Sequence, residues 1–138
     1  MFTTRENGPS KIMMNTVISG ATGGSIAVFL KARIMCTHNE ISKYDVGALC
    51  NGILVGLVGI TGACDRTEPW AAFIIGIISG FVYIFACKLL DKLHIDDPIE
   101  ASAVHGFGGM WGLLAVAIFD NEEGLISSNS SKGTFFGY

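Results

Sequence analysis

Charge is what this sequence has least of. Asp, Glu, Lys and Arg make up 15% of its 138 residues, where an ordinary soluble domain has about a quarter. The net charge of −3 leaves no basic footprint for nucleic acid, which excludes that class of partner. Cysteine is sparse as well. Cys36, Cys50, Cys64 and Cys87 stand far apart with no CxxC pair, which argues against a metal centre and suits small buried residues. No phosphate-binding loop and no nucleophile–base set accompanies the three histidines, so neither an enzyme nor a metal or cofactor is expected. The first ten residues are polar and no clean cleavage site follows, so no secretory signal peptide is evident.

What fills the chain instead is apolar residues, 50% of the total, with a mean hydropathy of +0.50. The few charges leave four gaps, 12–30, 46–64, 69–87 and 101–119, each 19 residues long. A helix needs about 20 largely apolar residues to cross the hydrocarbon of a bilayer. The expected fold is therefore all-α: a polytopic transmembrane helix bundle with four membrane-spanning helices, at about 12–30, 46–64, 69–90 and 98–119. A polar leader, 1–11, precedes this region and a polar extracellular tail, 121–138, follows it. Each expected helix carries two glycines four apart: Gly20 and Gly24, Gly52 and Gly56, Gly76 and Gly80, Gly108 and Gly112. That spacing lets helix backbones approach closely, and four such pairs favour a tight bundle over isolated anchors. Asn15, Thr16, Ser19, Thr22 and Ser25 recur at helical spacing and would lie near one face of the first helix, turned to other helices or to water. The stretch 60–64 makes a poor last turn, so the second helix is expected to fray there. Pro69 starts the third, capped by Thr67 or Glu68, and Trp70 suits the interface.

The stretch 96–112 is the one around which the rest is organised. Asp97 reads as an N-cap, Pro98 as the first helical residue and Glu100 as the third, an acidic variant of the capping box. Beyond them the chain is apolar and glycine-rich, with one ionisable residue, His105, roughly 10 Å inside the helix. An intramembrane titratable group is a functional suspect. The alternative is a structural histidine bonded to a neighbouring helix. His38 and His94 fall in loops and read as ordinary solvated residues. Trp111 reads as packing rather than pore lining.

Lysine and arginine set the orientation. Lys31, Arg33 and Lys43 in the first loop and Lys88 and Lys92 in the third place those loops in the cytoplasm, with both chain ends outside. The tail tripeptide Asn129-Ser130-Ser131 fits the N-glycosylation pattern at Asn129.

GILVGLVGITGAC at 52–64, followed by DDP at 96–98 and HGFGGMWG at 105–112, resembles the ammonium transporter (Amt/Rh) family, and Asn15-Thr16 fits the same pattern. The resemblance runs from about Asn15 to Asp120. It implies a multi-pass protein, expected in the plasma membrane, that conducts ammonium or ammonia through a pore within each subunit of a homotrimer. Family members have eleven transmembrane helices, and these four look like the seventh to tenth, so the chain is expected to be a partial ammonium transporter fold. The family pattern puts the outer ends of these helices where the charge reading puts them. His105 matches the second of two family pore histidines, the first lying on a helix this chain lacks. Gly62 stands where many members have proline. A neutral imidazole offers one donor and one acceptor to a small nitrogen compound, while apolar walls keep hydrated cations out. Two functions follow. The chain is part of a channel-like transporter, inactive alone, or it is a truncated structural or regulatory subunit that associates with full-length transporters.

Overall fold

In the computed structural model the described residues are 8–34 and 45–120. They form four helical units and no strand. These are α1 (Gly8–Ile34), α2 (Val46–Ile60), α3 (Pro69–Lys92), and a last helix that begins with a π-helical segment (Ser102–Phe107) and continues as α4 (Gly108–Phe119). Asn129 and His38 lie outside the described residues, as does most of the expected leader and the whole tail. The leader's last residues, from Gly8, are the first turn of α1.

Three helical runs, α1, α3 and Ser102–Phe119, are long and apolar enough to cross a membrane, and the chain is a multi-pass membrane protein. α2 differs from its expected length. It stops at Ile60 after 15 residues, about 22 Å of rise. Residues 61–66 form a run of turns. The cause is local hydrogen-bond competition. The Thr61 hydroxyl donates to the Val58 carbonyl (2.8 Å), and the Thr67 hydroxyl and N–H both donate to the Ala63 carbonyl (2.8 and 2.9 Å). Asn15 then ties this turn to α1. Its amide donates to the Cys64 and Thr67 carbonyls at 2.9 and 2.8 Å.

α2 and α3 lie between α1 and α4, which do not pack on each other. The glycine pairs sit at these crossings. A Cβ on Gly56 would stand 3.1 Å from the Gly20 Cα, and one on Gly76 would stand 2.5 Å from the Ser19 carbonyl oxygen. The Ser19 hydroxyl donates to the Gly56 carbonyl at 2.8 Å. Of the polar residues expected on one face of α1, Asn15 and Ser19 are buried. Thr16 and Ser25 lie off that face and return their hydroxyls to the Ile12 and Ala21 carbonyls of their own helix. Two apolar clusters complete the packing. One, around Val55, Tyr83 and Val104, lies at the end where α1 and α3 finish. The other, around Ile60, Ile75 and Phe119, lies at the opposite end, where Trp70 meets Phe119 edge to face with ring centroids 6.1 Å apart.

The third helix starts as expected, with Glu68 as N-cap and Pro69 following, although the Glu68 carboxylate makes no cap bond and pairs with Lys11 at 2.9 Å. Its other end is a Schellman motif. The Ile95 N–H reaches the Leu90 carbonyl and the His94 N–H the Asp91 carbonyl. His94 carries the left-handed conformation, φ 55°, where glycine is the usual occupant because any Cβ is strained there. Replacing His94 by glycine should therefore stabilise the chain by up to about 1 kcal/mol, read as a higher melting midpoint in detergent micelles. An unchanged or lower midpoint would contradict this assignment of strain.

Candidate functional site

The last helix does not start at Pro98. Residues 95–97 have no regular structure, and Pro98 disfavours helix in the residue before it. Asp97, Pro98, Ile99 and Glu100 make a turn closed by the Glu100 N–H on the Asp97 carbonyl (3.0 Å), and Glu100 has φ 56°. A helix cannot run through that conformation, so the first helical residue is Ala101. Pro98 is accordingly not the first helical residue and Glu100 not the third, which corrects the capping box expected from the sequence. Asp97 nonetheless reaches over the turn. Its two carboxylate oxygens accept from the Ala101 and Ser102 N–H groups at 3.1 and 2.7 Å, giving otherwise orphaned donors a charged acceptor.

Glu100 has a different task from the one its position suggested. One carboxylate oxygen accepts from Lys31 Nζ of α1 at 3.1 Å. The other accepts from Asn51 Nδ2 of α2 at 2.7 Å and from the Tyr83 hydroxyl of α3. Lys31 also bridges to Asp45 at 3.1 Å, and Asp45 caps α2 through the Gly47 N–H at 2.8 Å. This carboxylate is thus held by every other helix of the bundle. Burial alone would push the Glu100 carboxyl up, but the hydrogen bonds from Tyr83, Asn51 and Lys31 outweigh it and hold the group below its ordinary value. Asp45 is likewise held low, first by its bond from Lys31. Sequence reasoning missed this cluster. Its one signal was the isolation of Asn51 and Tyr83 as polar side chains inside apolar windows, since such groups need partners when buried.

The carbonyl of Glu100 accepts from the Val104 N–H at 3.0 Å, so the anchored residue also starts the turn that carries His105. From Ser102 the helix is wound as a π-helix, with the Gly108 N–H bonding back to the Ala103 carbonyl five residues earlier. Such segments are rare and cluster at functional sites. Ala103 and Val104 face inward and are buried, whereas Ser102, His105 and Gly106 face out of the bundle. The four glycines divide between two uses. A Cβ on Gly108 would stand 2.7 Å from a methyl of Val55, and one on Gly112 would stand 3.1 Å from the Val58 carbonyl oxygen. These two seat the helix against α2. At Gly106 and Gly109 nothing among the described residues lies within 4 Å of such a Cβ. The open side beside His105 is therefore a smooth helical surface that continues to Met110 and Leu113, both exposed. Trp111 turns the other way and donates its indole N–H to the Ile75 carbonyl at 3.3 Å, a packing contact.

A model of the Ammonium Transporter Family matches residues 2–137 of this sequence. The chain belongs to the ammonium transporter family. Among curated relatives, a putative ammonium transporter of Synechocystis is 44% identical over 108 residues, covering 78% of this chain and 24% of that protein. The ammonium transporter Amt2 of Archaeoglobus fulgidus is 39% identical over 122 residues, covering 88% and 25%. Among solved structures, Mep2 of Saccharomyces cerevisiae aligns with a TM-score of 0.71 at 32% identity, over 80% of this chain and 24% of that one. A structure described as a sensor Amt protein aligns with a TM-score of 0.71 at 36% identity, over 87% and 28%. The chain spans about a quarter of the length of the relatives it matches. The resemblance drawn from the motifs at 52–64, 96–98 and 105–112 is thus confirmed at the level of the family. So is the all-helical, multi-pass architecture.

Proposed function

We propose that this segment of the ammonium transporter family supplies part of the wall of a transmembrane path for ammonium or ammonia, and that His105 is the residue of this segment that meets the substrate. One observation carries the reading. His105 stands on a π-helical turn, on the side of its helix turned away from α2 and α3, beside the open surface of Gly106 and Gly109. There an imidazole can donate to and accept from a small nitrogen compound that has shed its water, and the side-chain-free surface beside it leaves room for that compound. A histidine serving only to hold the bundle together would face the bundle.

Since the chain amounts to about a quarter of its relatives, the 138 residues by themselves should not conduct. Cells making only this chain should take up no more methylammonium than cells making none. The positive test uses a chimera in which residues 8–120 replace the matching quarter of a relative such as Archaeoglobus Amt2. With this segment in place, His105→Ala should lower methylammonium uptake about tenfold or more, equivalent to at least ~1.4 kcal/mol on the barrier. Uptake unchanged by His105→Ala at equal membrane abundance would remove the pore role. The association of this chain with full-length subunits is the competing reading, and co-purification with an inactive chimera would favour it.

A further inference from the structure

The family reading takes His105 and leaves the ionic cluster one turn earlier without a task. That cluster is unusual in two respects. It draws one side chain from each of α1, α2 and α3 onto a single carboxylate, and that carboxylate belongs to the residue whose carbonyl opens the π-helical turn. Its owner also sits in the left-handed conformation, φ 56°, which costs a non-glycine residue energy unless the surroundings over-determine it. Here they do, through Lys31, Asn51 and Tyr83 on the side chain and the turn bonded to Asp97 on the main chain.

We propose that Glu100 is the positioning residue for His105: by clamping the start of the π-helical segment to all three other helices, it sets the depth and direction of the imidazole on the open face of the bundle. The functional part of this inference rests on the reading of His105 as a pore residue. The mechanical part stands on the geometry alone.

Glu100 acts on the imidazole by leverage. His105 lies five positions after Glu100, little more than one turn. Among the described residues the outward side of this turn has no packing of its own, since Ser102, His105 and Gly106 face outward and no described residue lies within 4 Å of a Cβ placed on Gly106 or Gly109. Inward packing through Ala103 and Val104 holds the turn radially. It does not fix the rotation of the π-wound segment about its own axis. The polar anchor can, because hydrogen bonds are directional where apolar contacts are not. Asp97 assists by holding the N–H groups of Ala101 and Ser102, but it bonds only within its own segment and cannot relate that segment to the other helices.

The test uses the whole chain in lipid nanodiscs, labelled on histidine and tryptophan and observed by NMR. The sequence has three histidines and two tryptophans. The ring signal of His105 is identified by its loss in His105→Gln. Glu100→Gln keeps the size of the side chain and its acceptor for Asn51 and Tyr83, but leaves Lys31 facing a neutral group. The single His105 ring line should be lost to broadening or splitting, while the indole lines of Trp70 and Trp111, which report packing elsewhere in the bundle, stay in place. Adding Lys31→Met removes the cation that has lost its Glu100 partner and should return the His105 line toward its original form. A His105 line unaffected by Glu100→Gln would overturn the proposal. So would displacement of both indole lines along with it, which marks a general loosening, or a double variant that shows no recovery. The pore reading is judged separately, by uptake in the chimera. Imidazole lines that respond as expected, with uptake indifferent to His105→Ala, would leave Glu100 as the positioning residue of a histidine that does not meet substrate.

Discussion

Glu100→Ala is expected to lower the unfolding free energy of the chain by about 3 kcal/mol, because truncation strips partners from three side chains at once. Tyr83 is fully buried and loses the acceptor of its hydroxyl. Asn51 loses the carboxylate that accepts from its amide at 2.7 Å. Lys31, whose side chain is 18% exposed, keeps the ion pair with Asp45. An unpartnered buried donor costs about 1–3 kcal/mol, and the partial exposure of Glu100 and Lys31 moderates the ionic share. The loss can be measured by titrating folded chain in mixed micelles with a denaturing detergent. A cost below about 1 kcal/mol would mean that the cluster is a surface ion pair in effect. The same carboxylate predicts an acid limit. The titratable groups facing it are Lys31 from α1, Asp45 at the start of α2, and Tyr83 and Cys87 from α3. Its folded value lies below the ordinary 4.5, so between the two values the unfolded chain binds more protons. Its stabilisation is complete above pH 4.5 and is lost as pH falls through the folded value. Asp45, also lowered from its ordinary 3.8, adds in the same direction at lower pH. Glu100→Gln should flatten the upper part of this acid limb, and an unaltered profile would count against the assignment.

The contrast between Glu100 as expected and Glu100 as found shows where sequence periodicity loses its grip. The helices themselves were legible because their signal is physical and local. Nineteen-residue gaps between charges have few meanings outside a bilayer, and the glycine pairs at spacing four turned out to sit at the helix crossings. His105 was legible as a singular group because nothing else in its window titrates. Local capping rules, however, weigh only the next few residues. At Glu100 a carboxylate that could have served its own helix found Lys31, Asn51 and Tyr83 instead, residues 69, 49 and 17 positions away. Long-range polar contacts of this kind leave no periodic trace. The π-helical winding of Ser102–Phe107 was equally hidden, since its apolar residues fit an ordinary α-helical turn as well. The early end of α2 was partly visible in the poor last turn at 60–64. The hydroxyl bonds of Thr61 and Thr67 that end it, and the reach of Asn15 from α1 for two carbonyls of the turn, were not.

Gly56→Leu is the substitution expected to separate the bundle outright. The α1–α2 crossing is built on direct backbone approach. A Cβ at position 56 would lie 3.0 Å from the Ser19 carbonyl carbon and 3.1 Å from the Gly20 Cα, and both are backbone atoms that no rotamer change can move aside. The helices would have to part, breaking the bond from the Ser19 hydroxyl to the Gly56 carbonyl and unseating Gly76 of α3 from the same Ser19. In a bilayer, where lipid tails are as apolar as leucine, close packing is the main force between helices. A gap opened at this crossing is therefore not offset by any gain in hydrophobic burial. Overpacking typically costs 1–3 kcal/mol, and a branched four-carbon side chain set against backbone belongs at or above the top of that range, about 3 kcal/mol or more. Gly106→Ala is the matched control. It adds a methyl where nothing among the described residues lies within 4 Å, and alanine is favoured over glycine in a helix by about 0.8–1.0 kcal/mol, so the bundle should be as stable as before or slightly more so. Both can be read from thermal unfolding in nanodiscs. If Gly56→Leu melted within a degree or two of the parent chain, the α1–α2 contact would not be the backbone-to-backbone crossing on which the placement of Lys31 and Asn51 around Glu100 depends.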